Sequence, residues 1–335
     1  MNGWFPVAWG REIEHTPVGC TLGGKPIVLY RNKVGQVLAF DDRCPHRHAP
    51  LSRGTLVDGL LQCPYHGWSF DDSGDCVRIP ACLQPNSIER APGLKAWRVH
   101  EAMGLIWVAP PTDALFAPWE AFPEMQQSLD ASYTTIEFEK CFEGNLVDVA
   151  ENILDVPHTA FLHATLFRSD DSRNRVEAEL IRRLGIAEVH YRGEPRPSGW
   201  LGKLLAPEGG EVEHVDRYIW PAIAQVHYGL GEHWIDVWNF LHPISDAQTH
   251  MRTVLCGSIP KWSKPLLPVI KKVAMSVVEQ DADMLKAQRE RIELFNNPSG
   301  ASTELDSLGQ EIRRLWKFGP QATDTRESKQ YDLMA

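Results

Sequence analysis

The chain lacks most of the features that would assign it to nucleic acid, a membrane or a disulfide scaffold. Its 34 Lys and Arg are outnumbered by 44 Asp and Glu, a formal net charge of −10. It therefore has no basic surplus with which to displace counterions from phosphates. No run reaches the roughly 18 apolar residues of a membrane span. The longest candidate, "LLPVIKKVAMSVV" at 266–278, is cut by Lys271 and Lys272. Met1, Asn2 and Gly3 lead into "WFPVAW" without a basic start or an apolar core of the export type, so the expectation is a soluble, cytoplasmic protein. Repeats and low-complexity tracts are also missing. The cysteines at 20, 44, 63, 76, 82, 141 and 256 are odd in number and scattered, which disfavours a disulfide framework and leaves most of them as small buried apolar residues.

What is present is enough apolar residue, 43% of 335, for one large core or two ordinary ones, and two domains are expected. Short runs at 25–32, 36–42, 60–65 and 104–110, separated by Gly, Asp and Asn, predict a small all-β domain. The Pro-rich stretch 109–125 reads as a linker or crossover, which places the domains at 1–112 and 113–335. The second domain reads as α+β: a helical segment at about 144–166, strands at 213–229, 233–242 and 248–259, and long helices near 264–295 and 302–317.

Chemistry concentrates in "CPHRHAPLSRGTLVDGLLQCPYHGW" at 44–68. Cys44 and His46 form CxH, and after sixteen residues Cys63 and His66 form CxxH. Each loop offers one thiolate and one imidazole. A Cys2His2 zinc site uses the same ligand types. A Rieske [2Fe-2S] centre holds one iron by two cysteines and the other by two histidines, and two facing loops of this kind suit it.

A second constellation lies in "ENILDVPHTAFLH" at 151–163, where Asp155, His158 and His163 form DxxHxxxxH. Asp155 and His158 share a helix face. His158 and His163 would diverge by about 140° on a regular α-helix. Both can reach one ion only if the helix is distorted, and Pro157 makes a kink or a wide turn plausible. Two histidines and a carboxylate on one face of an Fe(II) ion leave positions open for O2. For the carboxylate, "VVEQDADMLKAQ" at 277–288 offers Glu279, Asp281 and Asp283. The apolar stripe Ala274, Val277, Val278, Met284, Leu285 takes in position 281 and leaves Asp283 to solvent. A core-facing carboxylate needs a partner or a metal.

"CPHRHAPL" and "CPYHGWSF" resemble the cluster loops of Rieske non-haem iron oxygenases, and the similarity runs from "WFPVA" to the long helix near the end of the chain. Respiratory Rieske proteins place a disulfide-forming cysteine after each cluster histidine. Here "RHA" and "GWS" stand at those positions, as in the oxygenase type, which implies a potential near −150 mV. The chain is most similar to the phthalate, vanillate and dicamba O-demethylase group.

The resemblance implies an N-terminal all-β Rieske domain and a catalytic domain of helix-grip, START-like form, with an antiparallel sheet covered by helices. It assigns the cluster to Cys44, His46, Cys63 and His66, and a mononuclear Fe(II) to His158, His163 and Asp281. Asp155 becomes the bridge from a cluster histidine, His66, of a neighbouring subunit to an iron-bound histidine, which implies a homotrimer. An external reductase or ferredoxin would supply electrons, indirectly from NAD(P)H, for O2 to hydroxylate or oxidatively demethylate an aromatic or polycyclic small molecule. The same ligands serve cis-dihydroxylation, and a Rieske electron carrier is the other alternative. Arg43, Arg47 and Arg53 could dock an acidic ferredoxin. Asn152 could support the iron or hydrogen-bond substrate. Tyr218, Trp220, His227, Tyr228, Trp234 and Trp238 supply aromatic surface for a pocket, or for ordinary sheet core. Alternation puts Trp234, Asp236 and Trp238 on one side of their strand and His233, Ile235 and Val237 on the other.

Overall fold

A computed structural model of the chain describes residues 2–80, 86–112, 116–129, 133–163, 175–194, 212–230, 233–258, 261–297, 300–321, 324 and 327–334. Cys82 and the last residues of the predicted 144–166 helix lie outside them. The chain divides into two compact units, residues 1–115 and 116–335.

The first unit is built from ten short strands: β1 (Phe5–Trp9), β2 (Val18–Leu22), β3 (Lys25–Arg31), β4 (Val37–Asp41), β5 (Thr55–Val57), β6 (Leu60–Gln62), β7 (Ser69–Phe70), β8 (Cys76–Arg78), β9 (Arg98–Ala102) and β10 (Leu105–Ala109), with one short helix, α1 (Asn86–Glu89). They form three antiparallel sheets in the orders β1-β10-β9, β2-β3-β4 and β5-β6-β7-β8. Three hairpins turn on two-residue loops whose residues both have positive φ: Gly23-Gly24, Asp58-Gly59 and Met103-Gly104. Such loops match the twist of the strands they join. Val28, Tyr30, Phe40, Leu51, Leu61 and Phe70 form a core that also encloses Cys44, Cys63 and Cys76.

The second unit begins with two short helices, α2 (Pro118–Ala121) and α3 (Glu124–Ser128), in the stretch predicted as linker. Eight strands follow: β11 (Thr134–Phe142), β12 (Arg175–Arg183), β13 (Ile186–Arg192), β14 (Glu213–Ile219), β15 (Ile223–Leu230), β16 (His233–Ser245), β17 (Gln248–Ser258) and β18 (Glu327–Met334). They make one antiparallel sheet in the order β11-β17-β16-β15-β14-β13-β12-β18. Helices α4 (Leu146–Ile153), α5 (Val156–Leu162), α6 (Leu267–Phe295) and α7 (Ser307–Phe318) complete the unit. The architecture is the predicted α+β. Helix α6 lies against β11, and α4 lies over β15, β16 and β17.

Register aligns one row of side chains across the entire sheet. Thr134, Gly257, Ile235, Tyr228, His214, Tyr191, Ala178 and Tyr331 are successive cross-strand partners. Direct partners share a face, so the row lies on the side that carries the cavity described below. On the opposite face Trp238 meets Phe122 at 5.9 Å between ring centroids, and Arg217 stacks on the same Phe122 ring.

The expected single helix at 144–166 is two helices. The break falls at Leu154 and Asp155, and Pro157 sits in the first turn of α5, where its missing N–H costs nothing. Met284 is 42% exposed rather than on the buried stripe of α6, whereas Ala282 is buried. At about 100° per residue, Asp281, Ala282 and Leu285 centre the buried face about 90° round from Val277, and position 284 falls about 20° past Val277 on the other side, outside that face.

Gly54 follows the short helical turn Leu51–Arg53, and a Cβ there would lie 2.2 Å from the carbonyl oxygen of Gln62, the residue before Cys63. Gly54→Ala is therefore expected to destabilise the first unit by about 1–3 kcal/mol, the usual cost of overpacking. Chemical denaturation followed by near-UV circular dichroism would measure this, and an unchanged midpoint would contradict the close approach.

Candidate metal centres and the cavity beside them

Two loops of the first unit repeat one backbone geometry. The N–H of Cys44 donates to the Ala49 carbonyl at 2.9 Å, and His48 N–H returns to the Cys44 carbonyl at 2.8 Å. Nineteen positions on, Cys63 N–H donates to Trp68 at 2.8 Å and Gly67 N–H to Cys63 at 3.1 Å. The fifth residue of each loop takes a positive φ, 59° at His48 and 72° at Gly67.

Both thiols point into the core, at 1% and 3% exposure, while the imidazoles lie outward with ring centroids 4.6 Å apart. His46 stacks on Trp68 at 4.7 Å, and Tyr65 packs on His66 at 3.8 Å. Burial pushes the Cys44 thiol up to about 11, opposed by the N–H groups of His46 and Arg47 aimed at its sulfur and reinforced by the neighbouring Cys63. Two buried thiols side by side call for cationic compensation if they ionise. The Nδ1 of His46 is buried without a protein partner. Thiols inward, imidazoles outward and an unsatisfied ring nitrogen fit a two-iron cluster held by one Cys and one His from each loop.

In the second unit, Nε2 of His163 lies 3.0 Å from Asp281 Oδ1, Nε2 of His158 lies 3.4 Å from the same oxygen, and the two Nε2 atoms are 3.3 Å apart. These ligand atoms all fall within 4.8 Å of one another. The five-residue separation of the histidines is resolved because His163 has left the helix: it caps α5 with φ −113° and ψ 24°.

The other ring nitrogens are tied back. His163 Nδ1–H donates to Gln280 Oε1 at 2.9 Å, and His158 Nδ1–H donates to the Asp155 carbonyl. Fixing Nδ1–H leaves Nε2 of each ring as the bare donor a metal needs. Burial opposes a charged His158, but Asp155 and Asp281 outweigh it and raise the imidazole to about 9. Asp281 is likewise held below its ordinary value by the two histidines, against its burial. A pocket that stabilises positive charge at this point fits a divalent cation there.

Asn152 brings its Nδ2 to 3.5 Å from Asp281 Oδ1, and its own Oδ1 is buried without a protein partner. The Asp155 carboxylate stands 3.6 Å from His158 Nδ1, 41% exposed, on the side away from Asp281. Gln280 escaped the sequence reading although it adjoins Asp281, since polar residues on helix surfaces carry no signal of their own. Arg43, Arg47 and Arg53 are exposed around the cluster loops.

A cavity of about 290 Å³ opens on the three ligand atoms, between the sheet and helix α6. Of the six aromatic or histidine residues proposed for it, only Tyr228 lines it; the strand positions that do so on β16 are Ile235, Val237 and Asn239. Trp238 faces the other side of the sheet, as strand alternation requires.

At one wall a fully buried trio adjoins Tyr228. His214 donates from Nδ1 to Glu194 Oε2 at 2.5 Å and from Nε2 to Asp216 Oδ1 at 3.0 Å. Its ring stacks on Tyr228 at 4.4 Å. Burial works against the charged ring, but Asp216 and Glu194 outweigh it and lift His214 to about 10. The trio is scattered across residues 194, 214 and 216, and only strand pairing assembles it.

Two candidate metal-ligand constellations, one in the β-rich unit and one beneath an antiparallel sheet, suit an iron-dependent oxygenase, and comparison with known proteins gives that class. Residues 3–96 match the model of the Rieske [2Fe-2S] domain, and residues 142–317 match that of the vanillate O-demethylase oxygenase C-terminal domain. The chain belongs to the Rieske non-haem iron oxygenase family, with a catalytic domain of the vanillate O-demethylase type. It is 36% identical over 190 residues to the oxygenase component of dicamba O-demethylase from Stenotrophomonas maltophilia, a match covering 56% of this chain and 54% of that protein, so it spans about half of that relative's length. It is 24% identical to the vanillate O-demethylase oxygenase subunit of Pseudomonas sp. (strain HR199 / DSM 7063), over 94% of this chain and 93% of that one. The crystal structure of dicamba monooxygenase bound to dicamba superposes with a TM-score of 0.76 at 26% identity, covering 94% and 96% of the two chains. Membership implies a Rieske cluster and a non-haem iron. Among the described residues no helix is long and apolar enough to cross a membrane.

Gln280 orients His163 without touching the metal position. Outer partners of this kind are worth about 10–100-fold in metal affinity, so Gln280→Leu is expected to weaken Fe(II) binding by that factor while the cluster's visible spectrum stays unchanged. Anaerobic Fe(II) titration would decide it, and equal affinity in the variant would remove Gln280 from the site.

Proposed function

We propose that the protein is a terminal oxygenase that accepts electrons through a Rieske cluster and inserts oxygen from O2 into a small molecule, by hydroxylation or oxidative demethylation. The observation that carries this is the convergence of two imidazole Nε2 atoms and a buried carboxylate oxygen at the end of an apolar cavity. Cys44, His46, Cys63 and His66 would hold the [2Fe-2S] cluster, and His158, His163 and Asp281 the mononuclear iron. When bound, that iron supplies O2 activation through the coordination positions a two-histidine, one-carboxylate set leaves open.

The chain's own residues divide the remaining work. Gln280 and the Asp155 carbonyl hold the two imidazoles in the ligating tautomer. Asn152 lines the cavity beside Asp281 and has a buried carbonyl oxygen without a protein partner, which suits it to orient either the ligand carboxylate or the substrate. Val277, Val278, Ile235 and Val237 keep bulk water from the reacting end. Half-exposed Asp155, hydrogen-bonded through its backbone to His158, is suited to receive His66 of a neighbouring copy in a homotrimer and pass an electron to its own His158. The exposed arginines 43, 47 and 53 suit an acidic ferredoxin or reductase, which would draw on NAD(P)H. A cytoplasmic setting suits a chain whose described cysteines are free thiols.

Anaerobically purified protein should contain acid-labile sulfide matching one [2Fe-2S] cluster, and iron in excess of that cluster's own. Stoichiometric zinc without sulfide would overturn the reading. Asp155→Asn should keep both metals yet leave a pre-reduced cluster unable to support product formation in a single turnover. Normal product yield in that variant would end the bridging role.

A further inference from the structure

The inference rests on the oxygenase reading and concerns the protons that reading requires. Inserting one atom of O2 into a C–H bond and releasing the other as water consumes two electrons and two protons. The proposed cluster accounts for the electrons. Much of the cavity is aliphatic, with Ile270, Val273, Val277 and Val278 on α6 and Val226 and Val237 on the strands, and such side chains hold no proton to give. Glu194 lines the same cavity.

Behind Glu194 a proton is held ready. His214 directs Nδ1–H at Glu194 Oε2, 2.5 Å away, and Nε2–H at Asp216 Oδ1, 3.0 Å away. Burial disfavours the charged ring, yet the two carboxylates outweigh it, so His214 keeps both ring protons at neutral pH. The two N–H groups differ in their surroundings. Asp216 is buried, lies two residues along β14 on the same face as His214, and accepts a further hydrogen bond from Tyr191. The Tyr191 ring lies 4.7 Å from the imidazole. That side of His214 is anchored, while Nδ1–H meets the member of the trio that reaches the cavity.

We propose that His214 and Glu194 form a proton store that supplies oxygen reduction in the cavity, with Asp216 and Tyr191 holding the imidazole in place. The N–H bond at Nδ1 breaks as an O–H bond forms at Glu194 Oε2. The glutamic acid then passes that proton into the cavity, directly or through water, to the oxygen atom that leaves as water. His214 is left neutral, with its Nε2–H still on Asp216. Water in the cavity returns a proton by the same two bonds in reverse, so the trio ends as it began, and reloading between transfers lets it supply both protons. Only Oε2 is needed, whatever other group Glu194 meets. Raised to about 10, the imidazolium stays loaded at neutral pH and is still a far stronger acid than bulk water at about 15.7.

Exchange of the stored proton can be read without a substrate. In the cluster-loaded full chain, with Zn(II) supplied as a diamagnetic stand-in for Fe(II), the His214 Nδ1 proton is followed by NMR on 15N-histidine protein. Its loss in His214→Gln assigns it, and saturation transfer from water gives its exchange rate. Glu194→Gln keeps an acceptor for Nδ1–H but cannot carry a proton, so exchange should slow at least about tenfold. A merely structural role predicts the opposite, since a loosened trio exchanges faster. Turnover is read alongside on Fe(II)-loaded protein, as single-turnover product formation from 2-methoxynaphthalene after anaerobic reduction. Glu194→Gln should lower it about 10²-fold, within the range for proton transfer by a positioned group, at unchanged Fe(II) affinity. Should that variant lose its circular dichroism signature, Tyr191→Phe takes its place. It leaves Asp216 a stronger acceptor, holds the proton more tightly on His214, and should slow both readouts by a smaller factor.

Unchanged or faster exchange in the variant would overturn the proposal, as would slowed exchange with full turnover. Full turnover in the variant sinks the store and leaves the oxygenase standing. Absence of product and of O2 uptake in the unaltered protein counts against the oxygenase, and the exchange rate then decides by itself whether His214 and Glu194 pass a proton to the cavity.

Discussion

A carboxylate removed from water must be compensated, and the second unit is organised around the compensation of Asp281. At 7% exposure its oxygen faces two imidazole nitrogens rather than solvent. That arrangement depends on α6 bringing Asp281 to the sheet side, on α5 ending early enough for His163 to turn back toward His158, and on Gln280 and the Asp155 carbonyl occupying the far nitrogens. None of these contacts is strong alone. Together they leave one point in space where positive charge is favoured and where three ligand atoms already converge.

The first unit solves a related problem by repetition. Two loops of different sequence, one ending in Ala49 and the other in Trp68, fold back on their cysteine through the same pair of backbone hydrogen bonds. The left-handed residue that permits the fold-back is glycine in one loop and His48 in the other, where a non-glycine residue sits in a conformation that costs it energy. His48 is therefore held by its loop, and the thiols it helps to aim are enclosed by Tyr30, Leu51, Leu61 and Phe70.

The residues proposed to bind metal stood out in the sequence because their pattern is local. CxH with CxxH, and DxxHxxxxH, are short spacings that need no knowledge of tertiary structure, and Asp281 was singled out by helical periodicity together with the family resemblance. Where the helix between Asn152 and His163 would give way was less readable: Pro157 pointed to an irregularity, but the break lies two residues earlier and the proline opens the next helix. The strands β12, β13 and β18 gave little signal, since "RVEAELIRR" and "ESKQYDLM" mix charge into both faces. Without them the pairing that joins Glu194, His214 and Asp216 could not be foreseen. The aromatic side chains of β14 to β16 were a poor guide to the cavity because bulk does not tell which face of a sheet a residue occupies; register does.

That register has an evolutionary consequence. Every proposed iron ligand and its orienting partner come from α4, α5 and its C-cap, α6 or the break before α5, while one whole wall of the cavity comes from positions on β11, β15, β16 and β17. The two sets lie on separate elements and share no residue. Substitutions at Thr134, Tyr228, Ile235 or Val237 can accumulate with little effect on the chelating geometry, in keeping with the near-additivity of sites that lack common partners. A lineage built this way can exchange one substrate for another by drifting through sheet positions two residues apart, with the costly inorganic apparatus inherited intact.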